Sequence, residues 1–321
     1  FNHLRPSFAQ SGKISINPRN TQSLSCRAQK FLPPLPRQKR VEDRMTAHHS
    51  IKSDVVLQRA RGMLNISVVR SSDDRSRLKD LRQQGSYRAI FPRPILGTVE
   101  AVIINTAGGI TGGDEFATAI AANDHAKISV TTQAAERIYR AREFTLGSMQ
   151  TRLCAKANAQ LYWLPQETIL FEGSRLCRRL EAEVAEDSKF LMVEPLIFGR
   201  EASGETLKSC YLDDSVCITT GGKPIYVDRI KLSGDVASIL KRPAVANGGR
   251  AMASIVLVDP TAKAMLAGVH ALLPSSAGAS LLADNILVVR LLCADSFALR
   301  NALLPILKHL THNAVPKNWR L

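Results

Sequence analysis

The sequence holds no C-x-x-C pair, no zinc-type spacing of Cys and His, and no apolar run of about 18 residues. The first two gaps argue against a zinc-binding module. The third excludes a membrane-spanning helix. Aromatic residues are only 5% of the chain, too few for the platforms on which single-stranded nucleic acid stacks. The six cysteines, at positions 26, 154, 177, 210, 217 and 293, are too widely spread for a disulfide framework. In a chain this long they read as mostly buried thiols of a reduced, intracellular protein. The histidines are scattered too, with only His48 and His49 adjacent. No cluster suited to tight metal binding is visible.

What is present points to a globular protein. The chain has 321 residues, of which 45% are hydrophobic, enough for one large domain or two small ones. Its net charge is +15, which by itself suggests a nucleic-acid partner. The charge is uneven, however. Residues 1–44 hold nine Lys/Arg against two Asp/Glu, a net of +7 that leaves +8 for the other 277 residues. This first stretch lacks hydrophobic periodicity and contains the Pro-rich, then basic run FLPPLPRQKR. A polyproline ligand followed by a basic tail is one reading. A disordered or non-native leader is the expectation, with Met45 as the biological start and residues 45–321 as a single domain.

After residue 98 the pattern turns β-rich. VEAVIIN, AKISVTT, TRLCAKA and QLYWL read as short strands, the last two joined by a turn at Asn158. In LCRRLEAEV, Leu180, Ala182 and Val184 share one face and Arg179, Glu181 and Glu183 the other. VCITTGGKPIYVDRI reads as a hairpin with Gly221 and Gly222 at its tip. The charged run SSDDRSRLKDLRQQG reads as an exposed loop. Two strand-then-helix units close the chain, with Asp259 and Asp295 as helix caps, Pro260 at a first helical position, and Pro305 expected to kink or end the second helix. The fold class expected is mainly β, of β-helical or layered antiparallel strands, with a few α-helices and two β-α units near the C-terminus.

The densest motif is NTAGGITGGDE, Asn105 to Glu115. It is no dinucleotide loop, which needs G-x-G-x-x-G opening a helix, and no P-loop, because Gly113 is followed by Asp114 rather than by Lys. An acid there repels phosphate. TTGGKP fails the same test, since Pro224 follows Lys223. A glycine loop between strands, with residues at positive φ, presents Asp114 and Glu115 at its end. A plain structural turn fits it equally well.

Four blocks in order, NTAGGITGGD, TTQAAERIYR, LPQETILFEGS and PLIFGREASGE, followed by VVRLLCADSFALRNALLPIL and the closing NWRL, resemble the urease accessory protein D family, also called UreD or UreH. The resemblance runs from about Tyr87 to Leu321, and residues 1–44 lie outside it. It implies a mostly β, helix-like wrap of strands. It also implies a cytoplasmic nickel-delivery chaperone with no catalysis of its own and no tightly bound cofactor, nickel being only transient. The partners implied are the urease apoprotein, the F-type accessory protein and, through it, the G-type accessory GTPase, with no nucleic acid and no membrane.

A path for a passing ion needs weak, exchangeable oxygen ligands. The acids within these blocks are the candidates: Asp114, Glu115, Glu136, Glu167, Glu172, Glu194 and Glu201, with the hydroxyls of Thr131 and Thr132. Each has a bland alternative. Glu136 and Arg137 read as a short helical patch in which the acid pairs or caps. Glu167 and Glu172 flank the buried run TILF, so each needs a partner such as Arg175 or Arg200. Glu201 and Glu205 read as surface. Two rivals from other classes are a glycine-loop nucleotide-binding enzyme and a basic nucleic-acid-binding protein.

Overall fold

Alternating apolar residues, many of them β-branched, recur in short runs from residue 61 onward, and the chain answers with strands that each turn one face inward. The computed structural model describes residues 58–93, 97–142, 145–200 and 203–319; the expectations for residues 1–44, Met45 and Glu201 lie outside them. Seventeen strands follow one another: β1 Arg61–Arg70, β2 Ser76–Gly85, β3 Tyr87–Ile90, β4 Val99–Asn105, β5 Glu115–Ala122, β6 Lys127–Thr132, β7 Glu136–Ile138, β8 Gly147–Ala155, β9 Gln160–Trp163, β10 Thr168–Leu170, β11 Arg175–Val184, β12 Lys189–Phe198, β13 Cys210–Thr220, β14 Lys223–Gly234, β15 Ala251–Val258, β16 Ala277–Ala283 and β17 Ile286–Cys293. Three helices join them: α1 Val236–Lys241, α2 Ala262–His270 and α3 Ser296–Leu310.

The strands build two facing sheets, one in the order β14-β13-β11-β8-β5-β1-β2 and one running β16-β17-β15-β12-β9-β6-β4-β3. In the middle of each, the chain rises along a strand of the second sheet and crosses an upper loop. It then descends in the first sheet and turns back below. The pairs β4/β5, β6/β8, β9/β11 and β12/β13 are successive coils of this wrap. Neighbouring coils therefore pair in parallel, as in β5–β8–β11–β13 and β4–β6–β9–β12. This is the β-helical form of the expected fold. The antiparallel reading holds at the flanks, in β1–β2, β13–β14, β12–β15 and β15–β17. A short third ladder closes the upper level, where β7 pairs with β10 and β10 with the end of β12.

The inner faces of the sheets meet in one core that includes Leu64, Ile120, Ile128, Leu161, Leu180 and Phe190. The outer face of the second sheet is covered by α2 and α3 over Leu164, Leu191, Ile255 and Leu303. Fully burying each such side chain contributes about 1.5–3 kcal/mol.

Several local expectations are corrected. The charged run after Ser71 is a turn followed by β2, an edge strand exposed along nearly its whole length. It has no buried face and so no alternation to read. Glu136 and Arg137 belong to β7 rather than to a helical patch, because pairing with β10 holds them extended. Thr261, not Asp259, stands at the N-cap position of α2 and makes no side-chain capping bond, while Asp259 accepts from the Thr261 amide and hydroxyl. Pro305 lies inside α3, which continues to Leu310. Cys177, Cys210, Cys217 and Cys293 are free thiols and only Cys210 of these is buried. Asp295 does cap α3, accepting from the Ala298 amide at 2.7 Å. The Gly221–Gly222 hairpin also forms, with φ of 56° and 74°.

Candidate functional site: a charged cavity under the upper loops

The four sequence blocks that carry the resemblance are the upper loops of four successive coils, with the strand ends that flank them. The glycine loop joins β4 to β5. Gly108, Gly109 and Gly113 take positive φ, and Gly112 does not. A Cβ at Gly112 would instead collide with the Thr145 hydroxyl and the Ala141 methyl, so glycine is required there for space. Tyr139 from the next loop lies against Gly109 and donates to the Gly108 carbonyl at 3.2 Å.

Below these loops the inner face carries short polar side chains where neighbouring levels carry Leu and Ile. Thr118 of β5 stands opposite Thr151 of β8, and Glu136 stands opposite Thr168 on the short ladder. The space they leave is a cavity of about 210 Å³ lined by, among others, Thr132, Glu136, Trp163, Arg178 and Glu194. Gly108, Gln133 and Arg137, exposed on the upper surface, form its mouth.

The floor of the cavity is an ion cluster. Arg178 of β11 sits directly opposite Asp214 of β13 and grips it with two bonds, Nε to Oδ1 at 2.9 Å and Nη2 to Oδ2 at 2.6 Å. Its Nη1 reaches the Thr168 hydroxyl at 3.1 Å and Glu194 Oε2 at 2.5 Å. The other Glu194 oxygen accepts from the Trp163 indole at 2.8 Å. All three charged groups are buried. One guanidinium faces two carboxylates, so the cluster carries an excess negative charge whenever Glu194 is ionised. Burial pushes the Glu194 carboxyl up, Arg178 pulls it back, and Asp214 raises it further.

Nearer the mouth, Glu136 accepts from the Asn105 amide at 3.0 Å, and that amide also donates to the Gly109 carbonyl. Burial raises the Glu136 carboxyl to about 7, against the opposing pull of Asn105. Its folded pKa lies above its ordinary value, so folding favours the protonated form, and stability falls as pH climbs from about 4.5 to 7. Glu136→Gln is expected to match wild type below pH 5 and to be more stable by about 1–2 kcal/mol above pH 8. Urea unfolding at both pH values checks this. A constant difference across the range would remove Glu136 as the titrating group.

The candidate residues separate accordingly. Thr132, Glu136 and Glu194 line the cavity and Asp114, Glu115, Thr131, Glu167 and Glu172 do not. Asp114 is buried but consumed, accepting from the amides of Ala60 and Thr111 at 2.9 and 2.8 Å, and so closes the glycine loop. Glu115 pairs with Arg61 at the surface. Glu167 pairs with Arg300 of α3 at 2.9 Å, not with Arg175 or Arg200. Glu172 accepts from the Ser209 amide. Glu205 is not plain surface, because Arg200 holds it in a two-bond pair. The Thr131 hydroxyl is buried and finds no hydrogen-bond partner.

Arg178 and Asp214 are the residues that sequence reasoning missed. The signal was present in the alternation. Arg178 has the parity of Leu176, Leu180 and Ala182, and Asp214 that of Leu212 and Val216, so each places a charge on an apolar face. Among the described residues, no group of three or more His, Cys, Asp or Glu is placed to hold a metal ion. None of the helices there is long and apolar enough to cross a membrane.

Comparison with known proteins gives a consistent set. The family described as UreD urease accessory protein matches residues 60–320. Urease accessory protein UreD of Ruegeria sp. (strain TM1040) is 46% identical over 273 residues, covering 82% of this chain and 91% of that protein. The UreD of Ruegeria pomeroyi is 44% identical over 246 residues, 77% of this chain and 96% of its own length. That of Rhizobium rhizogenes is 41% identical over 265 residues, 82% and 96% of the two chains.

Proposed function

The chain belongs to the UreD family of urease accessory proteins and serves urease maturation, and on that premise we propose that it is a non-catalytic scaffold whose inter-sheet cavity passes nickel to the urease apoprotein. The partners in this reading are the urease apoprotein, the F-type accessory protein and, through it, the G-type GTPase. The setting is the cytoplasm. The observation that carries the reading is the cavity itself. It opens between the upper loops that bear the family resemblance, its lining includes carboxylate and hydroxyl oxygens, and two carboxylates share one guanidinium at its floor.

Chemistry favours passage over storage. Nickel held by several imidazoles or thiolates leaves slowly, whereas isolated carboxylates and hydroxyls exchange it readily. Glu136 near the mouth and Glu194 at the floor supply carboxylates, and Thr118, Thr132 and Thr151 supply hydroxyls between them. The two carboxylates line the same cavity. The path is therefore reassigned from Asp114 and Glu167, which lie outside the cavity, to the carboxylates that line it.

Filling the cavity tests this. Thr151→Phe is expected to cost about 1–3 kcal/mol of stability through overpacking. It should still assemble with its partners and lower the nickel content of the matured urease at least fivefold. Thr151→Ser, which keeps the hydroxyl and leaves the cavity open, should leave loading near wild type. The measurement is a pull-down of the complex followed by metal analysis of urease. An assembled Thr151→Phe complex that loads urease fully would remove the cavity from the path.

A further inference from the structure

Asn105, the last residue of β4 and the first of the glycine loop, lines the cavity. Its side chain joins the loop to Glu136. The Oδ1 atom accepts from the Ala107 amide at 3.0 Å, and Nδ2 donates to the Gly109 carbonyl at 3.2 Å and to Glu136 Oε1 at 3.0 Å. The amide fits only one way round: a backbone N–H must meet its oxygen, and a carbonyl and a carboxylate must meet its nitrogen. The loop is shaped to hold it. Gly108 and Gly109 take φ of 75° and 149°, which brings the Gly109 carbonyl back towards the end of β4. The Tyr139 ring packs on Gly109 and leaves no room for a side chain there. The Gly108 amide donates to the Asn105 carbonyl at 3.2 Å, and the Ile110 amide to the Arg137 carbonyl at 2.8 Å. The loop is thus tied to β7 one residue from Glu136.

Glu136 depends on this contact. It is a long side chain on a strand of only three residues, and among the described residues Asn105 provides its one side-chain hydrogen bond. The donor is neutral, and that matters. A lysine or arginine in its place would also orient the carboxylate, but would cancel its charge and repel an incoming dication. The floor of the cavity gives the contrast, since Glu194 shares its charge with Arg178. At the mouth, a neutral amide fixes direction and leaves the charge of an ionised Glu136 for the ion.

We propose that Asn105 is the positioning residue of the cavity mouth: held by the glycine loop, it aims the Glu136 carboxylate at the passing cation without neutralising it. The inference deepens the conduit reading above and rests on it. It also gives the glycine motif a use. Gly108 and Gly109 build a cradle for one side-chain amide, not for a phosphate.

The test is Asn105→Ser, whose hydroxyl can still accept from the Ala107 amide but is too short to reach Glu136. The full chain is assembled with the F-type accessory protein, the G-type GTPase and urease apoprotein, and the nickel content of urease is measured over a range of nickel concentrations. Expected is a rise of at least about fivefold in the concentration giving half-maximal loading, with the maximum kept within about twofold. Glu136→Gln should raise that concentration by itself. Adding Asn105→Ser to it should change nothing further, because Asn105 acts through Glu136. A lowered maximum without that rise, or a loss that adds to that of Glu136→Gln, marks Asn105 as merely structural and overturns the proposal. Asn105→Thr, of the same reach and a better strand former, decides the case if the serine variant fails to assemble. Wild-type half-saturation in either assembled variant overturns the positioning role; if Glu136→Gln is impaired at the same time, the conduit stands. Normal loading by Glu136→Gln overturns the inference as well, while the conduit itself still answers to Thr151→Phe.

Discussion

Arg178→Met is expected to destabilise the chain by about 3–5 kcal/mol, because it leaves Glu194 and Asp214 buried without their cation. That is a large share of a typical folding free energy of roughly 5–15 kcal/mol. The pH dependence is diagnostic. Without the guanidinium the Glu194 carboxyl loses the charge that pulls it back against burial and rises further above its unfolded value, so the variant binds more protons folded than unfolded, and its stability falls as pH increases. The deficit should therefore be smaller at pH 5 than at pH 8. Adding Asp214→Asn and Glu194→Gln should recover part of the loss, since neutral amides tolerate the missing charge. Denaturant unfolding of the single and triple variants decides it. A single variant within 1 kcal/mol of wild type at pH 8 would show that water reaches the cluster and screens it.

Trp319→Ala should have an effect of similar size, about 3–5 kcal/mol. The indole is fully buried beside α3, and its N–H donates to the Leu164 carbonyl at 2.9 Å. Arg300 stacks over the ring while donating to Gln166, Glu167 and the Asn318 carbonyl. Asn318 donates to the carbonyls of Thr132 and Gln133. The end of the chain is therefore fastened to the two loops that form one wall of the cavity. The loss should appear in amide exchange as faster opening around residues 132–137 and 164–167, not only in α3. Trp319→Phe keeps the ring and gives up one hydrogen bond, at about 1 kcal/mol. Unaltered exchange in both loops, alongside a lowered melting temperature, would confine the clasp to anchoring the helix.

Much of this architecture was legible in the residues, and the parts that were not have physical reasons. A strand such as β11 declares itself because every second side chain is buried. The tip of the β13–β14 hairpin declares itself because both turn residues need positive φ. Strand direction is another matter. Thr118 finds Thr151, and Arg178 finds Asp214, one coil later in the chain, and alternation within a strand says nothing about which distant strand lies beside it. β2 was hidden because an edge exposed on both faces has no period. The glycine loop showed its acids but not their fate. Asp114 looked available for a ligand, and two backbone amides had already claimed it. Glu167 needed a cation, and the one it uses, Arg300, comes from a helix near the end of the chain.

The coil-by-coil pairing also bears on how the chain is made. A parallel strand has no hairpin partner beside it in sequence, so each strand of the wrap waits for the following coil before its outward edge is hydrogen-bonded. During synthesis the growing end is always an unfinished sheet edge, and it stays open until β14 and β15 add the antiparallel flanks. Such long-range pairing is slow, and open edges at that stage invite pairing between chains. Yield in a heterologous host should therefore depend on translation rate and temperature more than on the stability of the finished molecule. Slowing the ribosome gives each coil time to settle on the one before it.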